Sequence, residues 1–194
     1  VWTNPEVLRA TYESQGRNLA QGIENFKRDM ERGKGELRIT MSDPDAFELG
    51  VNLATTPGKV VFQNDLIQLI QFEPVTEQVH RTPIVMIPAW INKYYILDLN
   101  EKKSFIRWAL GQGYTVFAVS WVNPDETLAQ KTFDDYLIEG VIAALDAIEA
   151  ATGEHEVSAV GYCIGGTITA VALGYLAGIG DQAAAGLGED AERV

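Results

Sequence analysis

Val157-Ser158-Ala159-Val160-Gly161-Tyr162-Cys163-Ile164-Gly165-Gly166, followed by a helix-compatible run from Thr167 to Ala177, carries the strongest fold signal in the chain. An apolar, partly β-branched run meets a glycine-bounded turn, and the turn meets a helix. The spacing predicts strand, tight turn and helix, with the only cysteine of the chain at the apex. A bend this sharp strains the backbone at its apex and needs small residues beside it. Gly161 and Gly165 supply that room, because a Cβ at either place would collide with the neighbouring strand or helix. The backbone N–H of Ile164 opens the helix and points at a developing oxyanion. Cys163 is therefore the candidate nucleophile and Ile164 a candidate oxyanion donor.

Outward from this stretch, other elements follow the same logic. Residues 1 to about 34 read as helical, with Thr3 or Asn4 as cap and Pro5 in the first turn. Leu8, Tyr12, Leu19, Ile23, Phe26 and Met30 form an amphipathic stripe. Gly16 and Gly22 weaken or split the helix, and Gly33 and Gly35 end it. The stripe fits packing onto the parent domain, or a partner or dimer surface. Residues 36 to 58 look irregular, with turn signals at Asp43-Pro44 and Thr56-Pro57-Gly58. Lys59 to Phe62 and Leu66 to Phe72 predict a hairpin about Asn64-Asp65. Strands are predicted at Pro83 to Ile87 and Thr115 to Val122, and helices at Ser104 to Leu110 and Phe133 to Ala150. Thr132 with Asp135 is a capping-box pair, and Gly153 closes the second of these helices. Strand and helix alternate from residue 83 onward, so the sheet is mostly parallel with crossover helices.

Bulk properties narrow the function classes. At 194 residues with 46% hydrophobic residues, the chain has the material for one domain with a core. A formal charge of −12 disfavours nucleic acid and anionic membrane as partners. A single cysteine forms no internal disulfide, which suits a reducing compartment. The start has neither a basic stretch nor an apolar core of a signal peptide. No run approaches the roughly 18 apolar residues of a membrane span. The first residue is Val, which leads to the expectation that the chain is a piece of a longer one.

The Gly-x-Cys-x-Gly box resembles the nucleophile elbow of α/β-hydrolases, G-x-S-x-G, with sulfur in place of oxygen. Pro88-Ala89-Trp90-Ile91-Asn92-Lys93-Tyr94-Tyr95-Ile96-Leu97-Asp98-Leu99 is very similar to a segment of polyhydroxyalkanoate synthases, as is Ser120-Trp121-Val122-Asn123-Pro124-Asp125. Asn52 to Phe62 resembles the same family, and the resemblance runs from about residue 4 to 180. It departs at Pro88-Ala89, where two prolines are expected, and is lost over Asp181 to Val194. The resemblance implies an incomplete α/β-hydrolase-type mixed sheet, preceded by an N-terminal helical segment. The implied organisation is a helical and irregular region at 1–58, the first part of a catalytic domain at 59–180 and an unassigned tail at 181–194. It implies an acyltransferase that polymerises (R)-3-hydroxyacyl-coenzyme A into a storage polyester through a Cys–His–Asp triad. Acyl-coenzyme A is then the substrate, with no separate cofactor and no metal. It implies a homodimer when full length, in the cytoplasm and attached to polymer granules. Cys163 matches the family nucleophile. The loop Trp90 to Lys93 matches the segment lining the active site, which places a second oxyanion N–H at or near Ile91. Asn92 is a candidate substrate contact or a loop residue satisfying its own backbone. Trp90 and Tyr162 are further candidate contacts.

Sulfur suits this chemistry. A thioester donor exchanges for an enzyme thioester at little free-energy cost, and the acyl group stays activated for attack by a hydroxyl. The general base would be a histidine held by a carboxylate. His80 and His155 each precede a strand, whereas active sites of open parallel sheets lie at the C-terminal strand ends. His155 is eight residues before Cys163, and at about 3.3 Å per residue the separation is far beyond a hydrogen bond. Asp98, Asp125 and Asp146 precede the nucleophile, whereas in such enzymes the acid and histidine follow it. The chain is thus expected to hold nucleophile and oxyanion loop without acid–base machinery, and to lack turnover alone. Two alternatives stand beside this: a cysteine-dependent, dienelactone hydrolase-like α/β-hydrolase, and a non-catalytic truncated product or scaffold associating through residues 1–34.

Overall fold

The computed structural model describes residues 3–43 and 45–191, with side chains through residue 180. Val1-Trp2, Pro44 of the expected Asp43-Pro44 turn and the last three positions of the 181–194 tail lie outside the described residues. The chain divides into two compact units, Val1–Ala46 and Phe47–Val194.

The first unit is built on two helices, α1 (Pro5–Glu13) and α2 (Arg17–Arg32). Asn4 caps α1, its side-chain oxygen accepting from the N–H of Glu6 at 2.9 Å and of Val7 at 3.3 Å. Such a cap stabilises a helix by about 1 kcal/mol. Gly16, at φ 80°, separates the helices, whereas Gly22 is carried inside α2. Gly33 closes α2, its N–H reaching the Asp29 carbonyl at 3.0 Å. The irregular chain beyond is tied back by Thr40, whose hydroxyl donates to the Asp29 carboxylate at 2.6 Å. That bond holds the Asp29 carboxyl below its ordinary value. Leu8, Leu19, Ile23 and Phe26 of the apolar stripe are exposed.

The second unit is α/β. A five-stranded sheet has the order β1 (Gly58–Gln63), β2 (Ile67–Phe72), β6 (Val116–Trp121), β3 (Ile84–Ile87), β7 (Ser158–Gly161). β1 and β2 form the antiparallel hairpin, and β2 joins β6 antiparallel. β6, β3 and β7 run parallel. Asn64 makes the hairpin turn: its side-chain oxygen accepts from the N–H of Leu66 at 2.9 Å and of Ile67 at 2.8 Å.

Alternation along the strands divides the core between the two faces. Val85, Ile87, Phe117, Val119 and Trp121 lie on one face, packed with Leu137, Val141, Ala144, Ile148 and Ile168. Those partners come from a π-helical stretch (Tyr136–Ile142) that continues the short α4 (Phe133–Asp135), from α5 (Ala143–Thr152) and from α6 (Ile164–Ala191). Met86, Val116 and Ala118 lie on the other face with Ile106, Ala109 and Leu110 of α3 (Phe105–Gly111). The result is a three-layer sandwich.

Two features go beyond the sequence reading. A small ribbon of β4 (Asp98–Asn100) and β5 (Lys103–Ser104) precedes α3. Its turn is made by the Asn100 side chain, which accepts from the N–H of Lys102 at 3.1 Å and of Lys103 at 3.0 Å. The helix expected over Phe133 to Ala150 is α-helical only at its ends. The Thr132–Asp135 capping box opens it and Gly153, at φ 73°, closes it. Within the π-helical stretch, a Cβ on Gly140 would lie 2.6 Å from two ring carbons of Trp121.

Candidate active site

Cys163 stands between the end of β7 and the start of α6 with φ 57°, in the left-handed region. For a residue with a side chain that conformation costs on the order of 1–2 kcal/mol, so the surrounding contacts must impose it. Three hydrogen bonds do so. The Tyr162 N–H donates to the Ile87 carbonyl at 3.0 Å, Gly165 N–H to the Tyr162 carbonyl at 2.9 Å, and Gly166 N–H to the Cys163 carbonyl at 2.9 Å. The two glycines are sterically required. A Cβ on Gly161 would fall 2.5 Å from the Gly166 Cα, and one on Gly165 would fall 2.0 Å from the Ile87 oxygen. The thiol is exposed.

Ile164 is the first residue of α6, so its N–H belongs to the group of amides that a helix leaves without an internal acceptor. Among the described residues no backbone carbonyl takes that N–H.

The 88–93 loop leaves β3 at the same sheet end, because β3 and β7 are parallel neighbours. The order of connections reverses here: from β3 the chain passes through α3 to β6 on one side, then returns to β7 on the other. Ligands of open α/β sheets bind at such reversals, beyond the carboxyl ends of the strands. In the loop, Asn92 donates its backbone N–H to the Ala89 carbonyl at 3.0 Å. Ile91 is 77% exposed, Asn92 and Trp90 are half-buried, and Tyr162 is exposed. Lys93 donates its ammonium to the Asn123 side-chain oxygen, linking this loop to the one after β6.

Neither histidine lies near the sulfur along the chain's path. His80, before β3, sits against Tyr114 with ring centroids 4.7 Å apart and its Nε2 3.2 Å from the Gln112 carbonyl. His155, before β7, pairs through Nδ1 with Glu149 at 2.8 Å and is exposed. Both occupy the opposite strand ends from Cys163. Two of the three aspartates also have other engagements. Asp98 is buried and accepts from the Thr56 hydroxyl at 2.7 Å and the Thr56 N–H at 3.2 Å. Asp125 takes the N–H of Thr127 at 2.9 Å. Asp146 is exposed on α5. Among the described residues no cluster of His, Cys, Asp and Glu is placed to hold a metal ion.

Sequence reasoning missed the support beneath the 88–93 loop. Trp121, at the end of β6, donates its indole N–H to the buried Pro88 carbonyl at 2.8 Å. Its ring meets the Trp90 ring edge-on at 6.1 Å and the Tyr136 ring at 5.6 Å, and Trp90 meets Phe133 at 6.1 Å. The available signal was a tryptophan closing a mostly apolar strand, a residue whose N–H needs a partner when buried.

A family model described as the poly-beta-hydroxybutyrate polymerase (PhaC) N-terminus matches residues 1–109. The chain belongs to this polymerase family. It is 51% identical over 182 residues to a poly(3-hydroxyalkanoate) polymerase of Methylorubrum extorquens, covering 94% of this chain and 30% of that protein. It is 45% identical over 183 residues to the poly(3-hydroxyalkanoate) polymerase subunit PhaC of Cupriavidus necator, with the same two coverages of 94% and 30%. Poly(3-hydroxyalkanoate) polymerase 1 of Ectopseudomonas oleovorans is 35% identical over 180 residues, 93% of this chain and 32% of that protein. The chain thus spans about 30% of the length of the first two of these relatives. Among the described residues no helix is long and apolar enough to cross a membrane.

Proposed function

We propose that this chain is the N-terminal part of a poly(3-hydroxyalkanoate) polymerase, and that Cys163 carries the growing acyl chain as a thioester. The carrying observation is the left-handed cysteine between β7 and α6, flanked by two glycines with no room for a Cβ. In this reading the sheet is the beginning of an α/β-hydrolase-type fold. Residues 59–180 form the first part of the catalytic domain, 1–58 precede it, and 181–194 stay unassigned.

The chemistry follows from the geometry. The Cys163 sulfur attacks the carbonyl carbon of (R)-3-hydroxyacyl-coenzyme A, and the carbonyl oxygen becomes an oxyanion. The N–H of Ile164 and an N–H at or near Ile91 donate to it. The carbon–sulfur bond to coenzyme A then breaks, the thiol of coenzyme A leaves, and an enzyme thioester remains. The 3-hydroxyl of a further monomer or of the chain end then attacks that thioester, its proton passes by way of the base to the sulfur, the carbon–sulfur bond to Cys163 breaks, and the ester forms with the thiol regenerated. Trp90, Asn92 and Tyr162 line the approach to the sulfur. The histidine base and its aspartate belong to sequence outside residues 1–194, so the chain alone is inactive. Granule attachment and dimer formation are part of the same reading for the full-length enzyme.

The deciding experiment supplies 3-hydroxybutyryl-coenzyme A to the full-length polymerase and to its Cys163→Ala and Cys163→Ser variants. Coenzyme A release with polymer in the native enzyme, and loss of both by a factor of about 10³ or more in the variants, is expected. Release of free hydroxy acid without polymer would point instead to a hydrolase. Normal activity of Cys163→Ser would reject the cysteine mechanism.

A further inference from the structure

Trp121 is placed to act on the reaction through the 88–93 loop. In that reading the loop must present an amide at Ile91 to an oxyanion, yet Ile91 is 77% exposed. Its position is set by what holds the chain on either side. Upstream, the Pro88 carbonyl receives the indole N–H of Trp121 at 2.8 Å, both groups being buried. In the middle, the Trp90 ring rests edge-on against the Trp121 ring. Downstream, Lys93 is tied to Asn123, two residues past Trp121. Of these ties the ones through Trp121 are shielded from water, and a shielded hydrogen bond fixes geometry better than an exposed one.

Trp121 is itself held. Its six-membered ring lies so close to the π-helical stretch that a Cβ on Gly140 would come within 2.6 Å of two ring carbons. Tyr136, on the same stretch, meets the ring from one side at 5.6 Å. Single π-type turns inside helices recur at functional sites, where they move a side chain or open a gap. Here the gap is the seat of the indole.

We propose that Trp121, seated on Gly140, is a positioning residue that sets the oxyanion donor of the 88–93 loop relative to Cys163. This rests on the reading of Cys163 as nucleophile. Trp121 acts by fixing the Pro88 carbonyl and the Trp90 side chain. A donor displaced by a fraction of an ångström loses part of its transition-state stabilisation and little of substrate binding.

The test uses the full-length polymerase with Trp121→Phe, which keeps an aromatic ring and removes the N–H, and Gly140→Ala, which keeps the N–H and displaces the ring. Each is measured for kcat and KM with 3-hydroxybutyryl-coenzyme A, for the rate of Cys163 alkylation by iodoacetamide and for thermal melting. Alkylation at saturated carbon forms no oxyanion, so it reports the thiol without the loop. Expected for both variants is a kcat lower by roughly ten- to a hundredfold, KM within about threefold, and an unchanged alkylation rate. Equal kcat in both variants and native enzyme would overturn the proposal. So would a parallel fall of acylation and alkylation, or loss of cooperative melting in both variants, since Trp121 would then be only a core residue. If native Cys163 is not acylated by the substrate at all, the nucleophile reading fails first, and that outcome is visible in the unmutated enzyme.

Discussion

Gly165 lies directly against the carbonyl of Ile87: a Cβ there would sit 2.0 Å from the oxygen, well inside any tolerated contact. The opposing atom is backbone in the middle layer of the sandwich, so nothing swings aside. Gly165→Ala is expected to destabilise the full-length enzyme by about 3 kcal/mol or more, or to abolish folding. Gly174→Ala, at a helical glycine with open space around its Cβ position, is the matched control and should gain up to about 1 kcal/mol from helix propensity. Denaturant unfolding of both variants checks this; comparable stability for the two would refute the close contact.

His80 and His155 lie at the strand ends away from Cys163 and are engaged by Gln112 and Glu149. His80→Gln and His155→Gln in the full-length polymerase should each keep kcat/KM within about twofold. A loss of a hundredfold or more in either variant would mean that the base lies within this chain. Correspondingly, the purified 194-residue chain should release no coenzyme A from 3-hydroxybutyryl-coenzyme A above background.

Thr56 donates two hydrogen bonds to the Asp98 carboxylate across a sequence separation of 42 residues. Thr56→Val removes the hydroxyl donor and leaves a buried carboxylate oxygen short of a partner. The expected cost is about 1–3 kcal/mol, read by urea unfolding of the full-length enzyme. Thr56→Ser, which keeps the hydroxyl, should recover most of it. Equal stability of the Val and Ser variants would show that the bond contributes nothing.

Asp135 accepts from the Thr132 N–H at 2.7 Å and from its hydroxyl at 2.9 Å. The Thr132 backbone bond, then its hydroxyl, hold the Asp135 carboxyl below the ordinary 3.8. A carboxyl depressed in the folded state contributes stability above its unfolded value and loses it as pH falls through the folded one. Asp135→Asn should therefore weaken the protein at neutral pH. The difference from native should shrink below about pH 4 and vanish at still lower pH. A difference that is constant down to the acid transition would contradict the depressed value.

β7 pairs with β3 alone among the described residues, and Ser158, Ala159 and Gly161 along it are exposed. A free parallel edge is a template for pairing with another chain. The 194-residue chain by itself should self-associate in sedimentation experiments, and an Ala159→Lys substitution should reduce that association. A monodisperse, cooperatively melting monomer would argue against this edge.

Much of this architecture was legible because its determinants are neighbours in sequence. Gly161, Cys163 and Gly165 mark the turn by spacing alone, Asn64 marks the hairpin, and Thr132 with Asp135 marks a helix start. The apolar run from Thr115 to Val122 marks a strand, and the structure divides its residues between the two sheet faces. What was not legible depends on partners far apart in the chain. Nothing near Trp121 announces that its N–H reaches Pro88 or that Gly140 makes its seat. Asp98 read as an ill-placed acid and proved to be a buried clamp for Thr56. Helical periodicity also cannot separate an α-helix from a π-helical stretch that keeps the same apolar face, so Tyr136–Ile142 passed unnoticed.

The left-handed backbone at Cys163 has an energetic corollary for the whole molecule. Only glycine adopts φ near 57° without penalty, so a Cys163→Gly chain should fold more tightly than the natural one, by about 1 kcal/mol, while surrendering its sulfur. The scaffold is therefore held short of the robustness its own contacts would permit, and selection for toughness alone would drift toward erasing the thiol.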